Sequence, residues 1–272
     1  METVYAIIKN ATVQGANAEQ NAYVVGAPSP LALHAYAQAY AFNAAERGMK
    51  IKTRWVLPIY HKLSERNLQE GVLKRESVGI EDRISKSLAP PSRDEVRIDF
   101  KLTLVIAFEV EDDLEDFSAF QLEMRKAFPT KMCGGTIFNN PLSEHDVLLT
   151  RRDDWSWLIN TPSVLRDSHI LIHRPDITAQ AQNITSLLEV IFSDPKKQLS
   201  PIAIGYQSIS DTATRRGTRK PDAEHVFVDP LISTGQWLGA YQIFNEDLPL
   251  YWVLDSSQNE GVFTLTSTKE AF

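Results

Sequence analysis

Residues Asp94–Phe138, DEVRIDFKLTLVIAFEVEDDLEDFSAFQLEMRKAFPTKMCGGTIF, carry the pattern on which the fold turns. Asp94–Val110 is rich in β-branched and aromatic residues and reads as a strand. The acidic run Glu111–Asp116 opens a helix, because carboxylates are favoured at its positive end. Phe117, Phe120, Met124 and Phe128 recur about once per turn, and Pro129 stops the helix. Lys131–Phe138 reads as a strand interrupted by Gly134-Gly135, a sign of a bulge or a close backbone approach.

Upstream, Val4–Val13 (VYAIIKNATV) is a strand, and Pro28-Ser29-Pro30 starts a helix with Ser29 as N-cap and Pro30 in its first turn. Gly48 ends that helix beside Arg47, and Lys50–Leu63 (KIKTRWVLPIYHKL) is a second strand. The order β-α-β-β-α-β predicts an α+β fold, with a ferredoxin-like or RNA-recognition-motif-like palm over residues 1–138. Ser64–Arg93 is a long polar connection inside it, of the length that usually serves a function. Residues 139–200 form a variable middle segment with Trp155, Trp157 and an amphipathic helix over Ile177–Phe192. Residues 201–272 form a β-rich segment packing on the palm, with strand-like pieces at Pro201–Ser210, Val226–Phe244 and Tyr251–Thr268. Gln20–Ala45 carries no charged residue, yet Gln20, Asn21, Gln38, Asn43, Pro28 and Pro30 rule out a membrane span. Its helix is expected to be covered by protein on both sides.

The chain has 272 residues, 43% hydrophobic and 23% charged, the composition of a folded protein. Its net charge of −7 excludes polyanion binding by overall charge, so nucleic-acid affinity requires local basic patches. Arg47–Arg93 holds eleven Lys or Arg against five Asp or Glu, whereas Asp94–Glu123 holds two against ten. Arg54, His61, Lys62, Lys74 and Arg75 belong to the basic window, and Arg215, Arg216, Arg219 and Lys220 form a second cluster. Such clusters suit phosphates, although on residue types alone an ordinary solvated surface is the favoured account of them. A single cysteine, Cys133, excludes an internal disulfide and fits a reducing cytoplasm. The N-terminal METVYAIIKNATVQ lacks the features of a cleaved leader.

The sequence contains no phosphate loop, dinucleotide fingerprint, metalloprotease helix or nucleophile elbow, and no cofactor or metal is expected. His169 and His173 are four apart, but SHILIHRP alternates like a strand, against a zinc pair. Cys133 reads as an inert packed thiol. His61 reads as a phosphate contact, with acid–base cleavage of RNA as the alternative.

Specific strings add a resemblance. The run IIKNATVQGANAEQNAYVVGAPSPLALHAYAQAY, with Gly15-Ala16-Asn17-Ala18 and Gly26-Ala27-Pro28-Ser29-Pro30, resembles the start of the Csy-two family, the Cas-five subunit of the subtype I-F CRISPR surveillance complex. KMCGGTI at Lys131–Ile137 resembles the family's Ala-Gly-Gly-[ST]-Ile strand, with Cys133 in the Ala position. Pro201–Tyr206, Gly235-Gln236-Trp237 and Phe263–Thr268 resemble its C-terminal strings, with Gln236 in place of Glu.

The resemblance implies a palm with a protruding basic thumb at residues 64–93. It implies a structural subunit without catalytic residues that grips the 5′ handle of the guide RNA. Its implied partners are the large subunit, the repeated backbone subunit and, through the assembled complex, target DNA. Gln14, Asn17 and Tyr206 are then expected at handle bases or sugars. Lys74, Arg75, Arg215, Arg216 and Arg219 are expected at phosphates, followed by Arg54, His61 and Lys62. Two rivals stand beside this reading: an endoribonuclease using His61, and a protein-only scaffold docking through the uncharged helix and the Trp155/Trp157 region.

Overall fold

The computed structural model describes residues 2–21, 23–66, 96–111, 114–151, 165, 167–215, 222–244, 247–255 and 261–269. Most of the proposed thumb, with Lys74 and Arg75, lies outside the described residues, as do Trp155, Trp157, Arg216 and Arg219.

Strand β1 (Glu2–Asn17) leads to helix α1 (Pro30–Ala45), then β2 (Ile51–Arg66), β3 (Arg97–Val110), α2 (Phe117–Ala127), β4 (Lys131–Met132) and β5 (Gly135–Ile137). Strands β6 (Val147–Thr150) and β7 (His169–His173), helices α3 (Pro175–Thr178) and α4 (Ile184–Phe192), and strand β8 (Leu199–Ser208) follow. Strands β9 (Ala213–Thr214), β10 (Glu224–His225), β11 (Val228–Gly239), β12 (Tyr251–Asp255) and β13 (Val262–Thr268) complete the described elements.

The result is an α+β architecture dominated by one antiparallel sheet. Its first part runs β2-β3-β1-β5-β4, with β6 sharing the outer edge of β1. The free edge of β2 then carries the C-terminal strands: Trp55 and Val56 pair with Val253 and Trp252 of β12, and Tyr60 pairs with His169 of β7. Through β13, β8 and β11 these strands close a ring back onto β2. Pro58, which pairs with Leu104 of β3, falls between the two contacts on the outer edge of β2, a kind of position where proline is tolerated.

Helix α1 starts as its sequence dictates. The Ser29 hydroxyl accepts a 3.2 Å bond from Ala32 N, and Pro30 occupies the first turn. In α2 the Asp116 carboxylate caps Ala119 N at 3.0 Å. Both helices pack on one face of the sheet, against Ala11, Val13, Ala16, Phe100, Leu102, Leu104 and Ile106. On the other face, Tyr5, Ile7, Trp55, Leu57, Val105 and Ala107 lie under Ile170, Ile172, Ala240, Ile243 and Leu250. The central runs of β1, β2 and β3 are therefore buried on both sides, which is why they are continuously apolar rather than alternating.

Three expectations are corrected. The strand read at Lys131–Phe138 is a hairpin, because Cys133 (φ 50°) and Gly134 (φ 80°) both adopt left-handed backbone, as a two-residue type I′ turn requires. The helix read over Ile177–Phe192 is two helices, because the Asn183 side chain caps Ser186 N and restarts the chain as α4. Helix α1 is covered on one side only: Tyr36, Ala37, Tyr40 and Ala44 are buried, while Phe42 is 65% exposed on the outer side. The pair His169 and His173 lies on a strand, as its alternation indicated.

Candidate nucleic-acid interface

Bulges in neighbouring strands shape one end of the sheet. In β1 the register shifts between Ile8 and Ala11, where Asn10 has φ 48°, and in β2 it shifts between Tyr60 and Lys62. Both meet β3 at Thr103, whose hydroxyl accepts Asn10 N at 3.1 Å and lies 2.8 Å from His61 Nε2. His61 Nδ1 lies 2.7 Å from the Ser168 hydroxyl. The imidazole thus ties β2 to β3 and to the segment entering β7, with both nitrogens engaged.

Thr103 marks a boundary. On its side of β3 the inner stretch, Val105 and Ala107, is covered by the second core, while Arg97, Asp99 and Lys101 reach solvent. A second bulge in β1, between Val13 and Ala16, is built on Gly15 at φ 67°, where a glycine is favoured. Asp99 Oδ1 accepts Gly15 N at 2.8 Å and Arg97 Nη1 donates to Gly15 O at 2.9 Å, so β3 clamps both sides of the bulge. Asn17 N donates to Cys133 O at 2.8 Å, and the Asn17 side-chain oxygen accepts Glu19 N at 2.9 Å. The hairpin presses closely here: a Cβ on Gly135 would lie 2.7 Å from Ala16 N and from Gln14 O.

The registers set out a lattice on the open face, since directly paired residues share a face. Lys62 pairs with Lys101 and Lys101 with Thr12; Arg97 pairs with Asn17; Gln14 pairs with Thr136 and Thr136 with Lys131. All are exposed except Arg97, which is half-buried. From strand spacing and rise the lattice spans roughly 20 Å across five strands and roughly 14 Å along them. Among the described residues no carboxylate pairs with Lys62 or Lys101. Two lysines directly opposite each other repel, and an added anion would relieve that repulsion. Amides at Gln14 and Asn17 beside such cations can donate and accept hydrogen bonds at a polar ligand.

Other candidates fall elsewhere. Arg54 donates to the Thr3 hydroxyl at 2.9 Å, eight residues from Lys62 and therefore roughly 26 Å away along the strand. Arg215 folds back on its own loop, donating to Asp211 O at 3.2 Å with its guanidinium 4.3 Å from the Phe227 ring. Tyr206 lines a cleft against α1. Desolvation pushes the Cys133 thiol up to about 12, so it is protonated at neutral pH and a poor nucleophile. The sequence reading missed Arg97, Lys101 and Lys131. Arg97 and Lys101 sit in the most acidic window of the chain, and only the alternation of RIDFKL signals that they share a face.

Among the described residues, no group of three or more His, Cys, Asp and Glu side chains is placed to hold a metal ion, and no helix is long and apolar enough to cross a membrane. Comparison with curated proteins gives no match. The family described as CRISPR-associated protein (Cas_Csy2) matches over residues 6–189 and 169–265, which takes in the whole lattice and all of the strand ring but the end of β13. The chain belongs to the Cas_Csy2 family of CRISPR-associated proteins and with it to the type I-F Csy system.

Proposed function

We propose that this chain is the RNA-gripping, non-cutting subunit of its CRISPR complex, holding the 5′ handle of the guide RNA on the open end of the sheet. The observation that carries this reading is the opposed Lys62–Lys101 pair, flanked by Arg97, Gln14 and Asn17 on one exposed face. The lysines and Arg97 take phosphates without reading sequence, and the two amides reach base edges or 2′-hydroxyls. The order β5-β1-β3-β2 supports an RNA-recognition-motif-like palm, with residues 64–93 as the thumb. Engagement of both His61 nitrogens by hydroxyls supports a role without RNA cleavage. In this reading the chain caps the backbone subunits in the cytoplasm, beside the large subunit, and meets target DNA through the assembly.

The test is the salt dependence of binding of a repeat-derived single-stranded RNA to the full chain, compared with Lys62→Ala/Lys101→Ala. Each lost phosphate contact lowers the log–log slope by about 0.7, so the double change lowers it by about 1.4 without loss of stability. An unchanged slope and affinity would overturn the assignment. The protein-only scaffold is favoured by a separate observation, the exposed apolar stripe Ile184, Leu188 and Phe192 on α4. Assembly with the large subunit in the absence of RNA would favour it.

A further inference from the structure

A cleft of about 230 Å³ separates the N-terminal half of α1 from the paired strands β8 and β13, lined by Gln20, Ser29, His34, Gln38, Tyr206 and Phe263 among others. That volume is below the roughly 300–1,000 Å³ of drug-sized sites and suits a single small ring system. His34 is 1% exposed, and among the described residues neither ring nitrogen has a hydrogen-bond partner. Buried polar groups are nearly always paired, so an orphaned imidazole in a cleft wall points to a ligand. Burial holds its pKa at about 4, so at working pH the ring is neutral, with one donor and one acceptor still to be satisfied.

The opposite wall is aromatic. Tyr206 and Phe263 are direct cross-strand partners, and Phe263 is 41% exposed. Gly205, the neighbour of Tyr206, allows the close approach of the strands, since a Cβ there would lie 1.9 Å from Phe263 O. The back of the cleft is fixed by the Gln20 amide, which donates to Ala27 O at 2.7 Å and accepts Ala203 N at 2.9 Å. Gln38, one turn beyond His34 on α1, is exposed and adds an amide at the rim. Ser29 places the positive end of α1 at the cleft, favourable to an attached phosphate. Two aromatic faces with an imidazole and amides match a planar heterocycle whose edge carries donors and acceptors.

We infer that this cleft takes one unstacked nucleobase of the bound RNA. The inference rests on the RNA-binding reading above and adds a site on the other side of the sheet. The two are joined by the chain itself: Asn17 on the open face and Gln20 in the cleft are three residues apart, at most roughly 11 Å.

The experiment is an abasic scan of the repeat-derived single-stranded RNA against the full chain and against Gln38→Ala/Phe263→Ser, changes at exposed side chains that leave the core intact. In the unaltered chain, removing one particular base weakens binding about tenfold or more, the scale of a lost base–aromatic stack. In the variant the intact RNA binds correspondingly more weakly, and the abasic penalty at that position disappears. RNA binding with a flat scan, or with the same penalty in both proteins, overturns the cleft assignment and leaves the open-face reading standing. Binding of free nucleoside monophosphates that the variant abolishes, with a flat RNA scan, overturns the RNA assignment in favour of a free nucleotide. Absence of RNA binding by the unaltered chain overturns both readings together.

Discussion

Acidification from pH 8 to pH 5 is expected to destabilise the chain through two buried imidazoles. Desolvation lowers both His34 and His173 to about 4, against 6.5 for a free imidazole. For His173 the nearby Asp176 carboxylate offsets part of the effect, and its ring nitrogens lie 2.7 Å from the Ser233 hydroxyl and 3.2 Å from that of Thr266. Because the folded values are depressed, the unfolded chain binds more protons between the two values. The stability is fully present above the unfolded value and is lost as pH falls from there through the folded one. At pH 5 each unfolded imidazole is protonated while its folded counterpart is about nine-tenths neutral, a loss of roughly 2 kcal/mol each. Together roughly 4 kcal/mol is a large share of a typical domain's stability of about 5–15 kcal/mol. Urea unfolding at the two pH values should show the midpoint falling by on the order of 1–2 M. His34→Leu removes one of the two titrations and should about halve that fall. A midpoint independent of pH, or an equal fall in His34→Leu, would refute the reasoning.

Gly135→Ala sets a Cβ 2.7 Å from Ala16 N and Gln14 O, backbone that cannot move without opening the β1–β5 pairing. It should cost on the order of 1–3 kcal/mol in denaturant unfolding and weaken RNA binding together with stability, because Gln14 and Asn17 move with the bulge. Cys133, protonated at neutral pH, should resist alkylation by iodoacetamide at pH 7.5 in the folded chain and react in urea. Equal rates in the two states would contradict the desolvation of this half-buried thiol.

Legibility in the sequence followed the range of the interactions. Caps are local, and Ser29 and Asp116 stand where their side chains and following residues place them. Alternation is local too, and it separates Ile98, Phe100 and Leu102, facing the helices, from Arg97, Asp99 and Lys101. The runs LTLVIAF and WVLPI announce burial on both sides, but not by what. The cover of Ile170, Ile172, Ile243 and Leu250 comes from sixty or more positions downstream of β3. The Cys133-Gly134 turn was hidden because a non-glycine residue takes a positive φ there. The lattice was hidden for a different reason. Charge counted along the chain mixes Lys101 with carboxylates that lie elsewhere, such as Glu111, paired with Lys52 at 2.5 Å, and Glu123, paired with Lys126 at 2.5 Å. Charge counted on a sheet face needs the registers of β1, β2 and β3.

The central claim, that this chain grips guide RNA, is tested most directly by co-expressing it with a guide RNA and the other subunits of its complex. Size-exclusion chromatography and extraction of RNA from the peak containing this chain then give the outcome. The account predicts one discrete guide RNA with one copy of this chain, and loss of that RNA at lower salt when Lys62 and Lys101 are both alanine. A peak containing this chain without RNA, or an RNA-bound peak whose salt sensitivity the lysine pair leaves unchanged, would contradict it.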